Sequence, residues 1–393
     1  MCRGLRLGRF LLVMVVGAGV MVQAASKELS GKRAWETHWR IKGAIERNDN
    51  VFKLSESQKY TMALNDSGTN ISGRFNDMKT VDDIILSTSL EFEALTKQGM
   101  FGRQFSVTAE IGYQQYARNS RQSHIDYGLA VEQKTSDQGK VRLQSKYLPS
   151  LFRKNYLADA IDLTGKVAVS ERVYKPGVYS EWDVALDYKH HFPKWVVDVT
   201  GDLIVGYRAR SYDDPFKGRN QNALSGGLTM DLDFTKWWSA DVGYMYESVH
   251  SPVSSEVLVL DEPDYWLDFN NDRDTADKNV RTVQQVDRSH AARTVEVSTR
   301  FKVIPRLTLH AGLEYLVRDY ASNERIDPGY RDRHDSRNTI KLGLDFHIML
   351  GFYLVADYER VNQKTNRQGD PESFGETTDY ELRIVRGGVI WRF

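Results

Sequence analysis

The strongest constraint on the fold of this chain is an alternation of apolar and polar residues with a period of two. In Ile340–Ile348 every even-numbered residue is apolar and every odd-numbered residue is polar or glycine, and residues 352–359 and 181–189 repeat the pattern. Successive side chains of a β-strand point to opposite faces, so each segment predicts a strand with one apolar face and one face suited to water. Because the pattern recurs along most of the chain, we expect an all-β fold.

Fourteen segments carry this alternation, and twelve or sixteen strands remain as alternatives. The short and mostly longer connections between them alternate, which is typical of a transmembrane antiparallel up-and-down β-barrel with short periplasmic turns and long external loops. Residues 159–172 also alternate, but a fifteenth strand would break the even count, so we place them in the third external loop. The predicted strands are residues 35–47, 81–95, 102–117, 122–134, 139–157, 178–190, 195–209, 221–234, 237–250, 289–303, 306–319, 337–348, 351–362 and 380–393.

The composition agrees with long strands, with 20 Tyr, 16 Phe and 8 Trp against only 9 Pro. A large soluble β-sandwich or solenoid is the alternative architecture for such a chain. Its strands would bury their apolar faces against each other, but it would not need an aromatic strand at the very end of the chain.

The first residues indicate a secretory signal peptide. Arg3, Arg6 and Arg9 precede the apolar run 10–22, and Val22-Gln23-Ala24 offers a small-residue cleavage site. The run is shorter than the roughly 20 residues that a membrane-spanning helix needs, although a retained N-terminal anchor is the alternative. The predicted organisation is a signal peptide at 1–24, a periplasmic N-terminal segment at 25–34 and an outer-membrane β-barrel at 35–393.

Cysteine usage and net charge limit the other possibilities. The single cysteine, Cys2, lies inside the predicted signal peptide, so we expect neither a disulfide nor a lipid anchor in the mature chain. The 53 basic residues balance the 53 acidic ones. This neutrality gives no support to a nucleic-acid partner.

Three short segments of the predicted barrel carry a family resemblance. The segment Ile41–Phe52 closes on Asp49-Asn50-Val51-Phe52 and resembles the opening of the porin 2-like β-barrel families of Gram-negative bacteria, as do Tyr147-Leu148-Pro149 with Arg153 and the stretch Arg208–Tyr212. The resemblance implies an outer-membrane protein, in some cases associated with exopolysaccharide clusters, and transfers no catalytic residues.

The last strand, Val389–Phe393, ends in phenylalanine with Trp391 two residues before it. It is similar to the assembly signal that the barrel-assembly machinery recognises, so Trp391 and Phe393 are the predicted assembly residues. Leu382 and Ile384 are apolar at even positions, whereas Val389, Trp391 and Phe393 are apolar at odd ones. If all five face lipid, the alternation must slip between them, and we predict a β-bulge at Arg386-Gly387-Gly388.

The face suited to water is rich in charged residues, which must be paired or hydrated inside a barrel wall. Acids on the seventh to tenth predicted strands, opposite bases on the fifth, would create a transverse field across a pore; an ion-paired wall without selectivity is the alternative. The acidic excess favours a mild cation preference. The predicted lumen-lining residues are Lys140, Arg142, Lys146, Asp183, Asp187, Asp198, Asp202, Asp231, Asp233, Asp241, Glu296, Glu314, Arg318, Lys341, Asp345 and Asp357.

The long connection at 251–288 contains an acidic run with the spacing of a calcium loop. Asp268, Asn270, Asp272 and Asp274 offer the oxygen ligands that Ca²⁺ prefers, although Arg273 and Asn279 stand where an EF-hand has glycine and glutamate. A hydrated acidic loop is the alternative. No further cofactor is predicted.

These features predict a protein of the cell outer membrane that acts as a porin-like channel for small polar solutes. The alternative is a barrel for exopolysaccharide export, surface assembly or adhesion without an open channel. The chain carries none of the sequence motifs of serine hydrolases, zinc proteases or phosphate-binding loops, and no enzyme is expected. The expected partners are outer-membrane lipid and lipopolysaccharide, the barrel-assembly machinery, and small polar solutes or polysaccharide.

Overall fold

The computed structural model describes residues 35–66, 75, 78–96, 102–157, 174–193, 197–252, 254–259, 281–322, 330, 332–349, 351–366 and 379–393. Among these residues no helix is long and apolar enough to cross a membrane. The predicted signal peptide, the N-terminal segment 25–34 and residues 159–172 lie outside the described part of the chain.

The described chain is almost entirely β-strand, with one α-helix, α1 (Glu56–Asp66). The strands are β1 (Trp35–Asn48), β2 (Asp83–Thr96), β3 (Phe105–Tyr116), β4 (His124–Lys134), β5 (Gly139–Leu157), β6 (Tyr174–Phe192), β7 (Asp198–Tyr212), β8 (Gln221–Thr235), β9 (Trp238–His250), β10 (Ser254–Val259), β11 (Arg281–Val286), β12 (His290–Ile304), β13 (Leu307–Tyr320), β14 (His334–Met349), β15 (Phe352–Thr365) and β16 (Tyr380–Arg392).

Fourteen of these strands form one closed antiparallel barrel, which confirms the predicted fold class and strand number. Each strand pairs with its neighbours along the chain, and β12 pairs with β9 because β10 and β11 form a separate two-stranded sheet within the connection 251–289. The barrel closes where β1 pairs with β16. At this seam the Trp39 and Phe393 backbones exchange two hydrogen bonds of 2.8 and 3.0 Å, so the chain end completes the ring.

The outer surface of the barrel is a belt of exposed apolar side chains. Leu224, Leu313 and Leu186 are 64%, 61% and 50% exposed, although all three residues lie within strands of the barrel. Directly paired residues share a face, so the registers assign each strand an apolar outer face and a polar inner face. Apolar side chains exposed around a closed ring suit a lipid environment, since no strand leaves an unpaired edge there.

The connections divide the barrel into two different ends. Short turns link β4 to β5, β8 to β9, and β12 to β13, whereas the connections at the opposite end are mostly longer. Short turns mark the periplasmic end of such barrels, so the start of β1 and the end of β16 lie at that end. At the turn between β14 and β15, Gly351 has a φ of +72°, and a Cβ there would meet the carbonyl oxygen of Arg392.

The predicted β-bulge at Gly387-Gly388 is wrong. β16 pairs without interruption with both β15 and β1 through these two glycines. Leu382 faces inward and is buried against Val361 and Tyr380, so it is not a lipid-facing residue. Gly388 instead permits close approach across the seam, because a Cβ at this position would lie 2.8 Å from the carbonyl oxygen of Gly43.

The described residues of the connection between β1 and β2, namely 49–66, 75 and 78–82, fold into the barrel, and we call them the inner loop. Its residues Phe52, Leu54 and Met62 are buried in one apolar cluster with Phe152 of β5 and with Val178 of β6 packed against it. β5 lies four strands away from β1 around the ring. The inner loop therefore crosses part of the lumen at the external end and packs against the wall beyond β2, β3 and β4.

Candidate solute pathway in the barrel lumen

Ion pairs between neighbouring strands cover the inner face of the wall formed by β8, β9 and β12. Arg300 of β12 reaches Asp231 at 3.3 Å and Asp241 at 3.1 Å, and these two carboxylates lie directly opposite each other on β8 and β9. Ser298 donates a hydrogen bond of 2.9 Å to Asp241. One guanidinium thus offsets the repulsion between two carboxylates that would otherwise stand side by side.

A second ion-pair network lies on β12, β13 and β14. Lys341 contacts Glu296 at 2.9 Å and Glu314 at 3.1 Å, and Arg337 contacts Glu314 at 2.6 Å. His310 on the same wall lies 3.4 Å from Asp357 and 3.9 Å from Asp345. The predicted residues Glu296, Glu314, Lys341, Asp345 and Asp357 therefore lie in one connected charged surface.

The wall at the barrel seam is paired in the same way. Arg40 contacts Glu91 at 2.7 Å, and Lys42 lies between Glu91 at 3.4 Å and Glu110 at 3.3 Å. On the other side of the seam, Arg386 of β16 contacts Glu46 of β1 at 2.6 Å. This last contact links the first and last strands of the barrel through their side chains.

The bases of β5 also meet acids on adjacent strands. Lys140 contacts Glu132 of β4 at 2.9 Å, while Arg142 and Lys146 stand directly opposite Asp187 and Asp183 of β6. Further along the same side of the ring, Arg208 of β7 contacts Glu247 of β9 at 2.7 Å. Lys140 and Arg208 are thus neutralised by acids of nearby strands, and Arg142 and Lys146 face acids on β6, which reduces the charge separation that a transverse field needs.

The registers place all the predicted lumen-lining residues on the inner face. Asp198 and Asp202 of β7 face the same side as their partners on β6 and β8, Asp233 lies opposite Asp198, and Arg318 shares the inner face of β13 with Glu314. Arg383 of β16 faces outward, where it contacts Glu381 at 3.0 Å. It follows the outward phase of β16 rather than the phase expected from a bulge.

Many charged side chains on the inner face are exposed to water. The side chains of Arg300, Lys341 and Asp345 are 47%, 41% and 46% exposed, although they point into a closed barrel. An ionised side chain is costly to bury without water or a partner, so this exposure requires space for water within the lumen. The middle of the barrel is therefore a hydrated passage lined with ion pairs.

The external end of the lumen has a different character, because five basic side chains converge there. We call Lys53 of the inner loop, Arg153 of β5, Arg210 of β7, Arg318 of β13 and Arg337 of β14 the external basic cluster. Its glutamate contacts are from Arg210 to Glu181 at 2.7 Å and from Arg337 to Glu314. Arg210 also lies over the Tyr179 ring, 4.7 Å from its centre.

Lys53 experiences the other four members of this cluster at once. Its surroundings lower its pKa from the ordinary lysine value of 10.5 to about 8, mainly through loss of hydration and then through the positive charges of Arg153, Arg337, Arg318 and Arg210. Yet its side chain is exposed to solvent. The four arginines belong to strands on different walls of the barrel, so a solvent-exposed side chain that lies among them is in the lumen and not on the outer surface.

Sequence reasoning missed part of this cluster. Lys53 lies in a connection, where alternation gives no information about direction. Arg337 was within reach of the pattern, since it shares the odd-numbered face of β14 with Lys341 and Asp345. The predicted calcium ligands Asp268, Asn270, Asp272 and Asp274 lie outside the described residues.

A closed barrel with an apolar outer belt and a charged, hydrated interior is an outer-membrane β-barrel, and this chain belongs in the cell outer membrane. No family model and no curated protein matches its sequence.

Solved structures of outer-membrane proteins resemble it at low identity. A loop L8 deletion mutant of OmpT from Vibrio cholerae is 10% identical, covering 92% of this chain and 99% of its own, with a TM-score of 0.43. The channel DcaP of Acinetobacter baumannii is 9% identical over 92% and 97%, with a TM-score of 0.42. An anion-selective porin from Comamonas acidovorans is 8% identical over 92% and 100%, with a TM-score of 0.38.

Proposed function

We propose that this protein is a passive outer-membrane channel for small polar solutes. The observation that carries the proposal is the exposure of charged side chains on the inner face at mid-height, such as Arg300 and Lys341. In a barrel closed by apolar packing, these charges would be desolvated, and a cost of several kcal/mol for each ion would oppose folding. Hydrated charges inside a membrane-spanning ring are the arrangement of a water-filled pore.

The local pairing of these charges suits passage of polar solutes without tight binding. Arg300 of β12 and Lys341 of β14 each contact two carboxylates, Arg300 those of Asp231 and Asp241 and Lys341 those of Glu296 and Glu314. A solute therefore meets polar groups that can exchange hydrogen bonds with it, without a strong unpaired charge to hold it. Conduction requires binding that is weak enough to allow release.

The inner loop sets an upper limit on solute size. It occupies part of the external end, where Leu54 and Asn50 are almost completely buried. A pore narrowed in this way favours small solutes over polymers. This weighs against the alternative of exopolysaccharide export, which needs a wide continuous track.

The proposal includes that this protein is a member of the porin 2-like families and that the barrel-assembly machinery recognises its last strand. Trp391 and Phe393 face outward, 47% and 55% exposed, at the periplasmic end of β16. Their rings lie 4.6 Å apart, centre to centre. This position leaves the aromatic end of the strand accessible for recognition by the barrel-assembly machinery before the seam closes, and afterwards for contact with lipid.

Swelling of proteoliposomes in isotonic solutions of neutral sugars tests the channel. We expect rapid swelling with a monosaccharide, slower swelling with a disaccharide and none with a large oligosaccharide. Liposomes without protein, and liposomes with protein shown by circular dichroism to be unfolded, serve as controls. If the folded barrel admits not even the smallest sugar, the channel proposal fails and a closed barrel for surface assembly or adhesion takes its place.

A further inference from the structure

The external basic cluster is built from opposite walls of the barrel. β5, which carries Arg153, and β14, which carries Arg337, are seven strands apart in a ring of fourteen and therefore face each other across the lumen. Arg210 and Arg318 lie on β7 and β13, each two residues from the external end of its strand. The four arginines thus surround the lumen at one level.

Lys53 is held between these walls by a tight turn of the inner loop. Its backbone has a φ of +55° and donates a 3.0 Å hydrogen bond to the carbonyl oxygen of Asn50. Asn50 is fully buried. Its side-chain amide donates a hydrogen bond to the carbonyl oxygen of Leu54 and accepts one from the Leu54 backbone N–H. These contacts hold the backbone of Lys53 in a sparsely populated conformation, and the charges that act on its ammonium group come from Arg153, Arg210, Arg318 and Arg337.

The cluster carries an excess of positive charge. Glu181 is bound to Arg210, and Glu314 is shared between Arg337 and Lys341, so each of these two carboxylates offsets only part of the positive charge. Within the described part of the chain, the side chains of Lys53 and Arg318 have no carboxylate within ion-pair distance. This level of the lumen therefore differs from the surroundings of Arg300 and Lys341, each of which contacts two carboxylates.

Hydroxyl groups complete the site. Tyr212 lies 3.5 Å from Arg153, and the Tyr212 and Tyr179 rings lie 5.2 Å apart beside Arg210. Guanidinium groups present paired donors that match a carboxylate, and phenol hydroxyls supply further donors.

We propose that the external basic cluster is an anion-binding constriction, and that the channel takes small carboxylate-bearing solutes in preference to cations. The proposal rests on the channel function above and specifies its solute class. Positive charge concentrated at a narrow point within low-dielectric walls raises the local concentration of anions and repels cations. The sequence alone favoured a mild cation preference, because acids outnumber bases on the predicted inner faces of the strands. That comparison did not include Lys53, which lies in the inner loop.

Reversal potentials in planar bilayers under a KCl gradient test the selectivity. The wild type should prefer chloride over potassium. Lys53→Gln and Arg318→Gln should each lower the chloride-to-potassium permeability ratio by a factor on the order of five, the effect of one unit charge at about 8 Å in a medium between water and protein. Arg383→Gln is the matched control, since it removes an arginine near the same end but on the outer face.

Block by a tricarboxylate gives an independent readout. Citrate added on the external side should interrupt the current of the wild type, and Lys53→Arg, which keeps the charge, should retain this block. The Lys53→Gln/Arg318→Gln double variant should lose it while still conducting potassium chloride.

The two proposals fail in different ways. A conducting channel that prefers potassium, or one whose selectivity is the same in wild type and double variant, overturns the anion constriction and leaves the channel function intact. Absence of any conductance from folded protein overturns both.

Discussion

The side-chain amide of Asn50 donates a 2.9 Å hydrogen bond to the backbone carbonyl of Glu381, across a sequence separation of 331 residues. The neighbouring Asp49 completes the junction, because its carboxylate accepts a 2.6 Å hydrogen bond from the Arg383 backbone N–H. The segment Asp49–Phe52, which carries the family resemblance, therefore ties the inner loop to the last strand of the barrel. Its role is to direct the loop inward.

Removing this tie should release the inner loop. Asn50→Ala leaves the buried carbonyls of Leu54 and Glu381 without their donor, at a cost of about 1–3 kcal/mol for each unsatisfied group. We expect single-channel conductance to rise and current noise to increase. Asn338→Ala, an exposed asparagine on the outer face of β14, is the control and should change neither. Unaltered conductance in Asn50→Ala would show that the inner loop does not narrow the pore.

Selectivity should depend on pH through Lys53. Its pKa of about 8 lies below the ordinary lysine value because reduced hydration inside the barrel and the charges of Arg153, Arg337, Arg318 and Arg210 disfavour its ammonium form. As the pH rises from about 7 to about 9, Lys53 loses its proton while the four arginines stay charged, so anion preference should fall. Lys53→Arg should abolish this change. A wild-type response equal to that of Lys53→Arg would assign the titration to another group.

Ion selectivity should also depend on Arg300, which pairs with Asp231 and Asp241 on the inner face of the barrel. Arg300→Gln leaves the two opposed carboxylates without their shared cation, which adds negative charge to the hydrated passage. The chloride-to-potassium permeability ratio should decrease. Arg293→Gln lies on the outer face of the same strand, where Arg293 contacts Asp319, and should leave the ratio unchanged. Equal ratios in both variants would mean that ions do not pass along this wall.

Barrel stability should depend on the buried pair Arg333–Asp335. Two hydrogen bonds of 2.8 and 2.9 Å join these residues, whose side chains are 3% and 1% exposed. Burial opposes the charge of Arg333, but the carboxylate of Asp335 outweighs it and raises the pKa of the guanidinium above its usual value. Asp335→Asn leaves a buried cation without its partner and should lower the free energy of unfolding by about 3–5 kcal/mol.

Urea unfolding in lipid vesicles measures this loss. Asp319→Asn is the control, because the ion pairs of Asp319 with Arg293 and His334 are exposed and contribute about 1 kcal/mol or less. Similar losses in the two variants would contradict a special role for the buried pair.

The strands were predictable because two solvents act on them. Lipid selects apolar residues on one face and water selects polar ones on the other, so the alternation in Ile340–Ile348 fixes both the strand and its orientation. This logic fails at the external end of β16. There the lumen holds apolar contacts, so Leu382 faces inward beside Val361, and an apolar residue no longer indicates lipid.

The position of the external basic cluster could not be predicted from local sequence patterns, for a different reason. Lys53 reaches the lumen because Asn50 bonds to Glu381 and Phe52 packs against Phe152, and both are contacts between residues distant in sequence. Alternation predicts which face of a strand is wet. It does not show how a loop returns across the barrel, nor that Arg153 and Arg337 stand on opposite walls.

Single-channel recording of the folded wild-type protein in a planar bilayer tests the central claim most directly. A barrel whose interior is a hydrated, ion-paired passage should give discrete current steps that increase linearly with moderate voltage and with salt concentration. Protein whose strand content is verified by circular dichroism, and which inserts into the bilayer without producing such steps, would contradict the account.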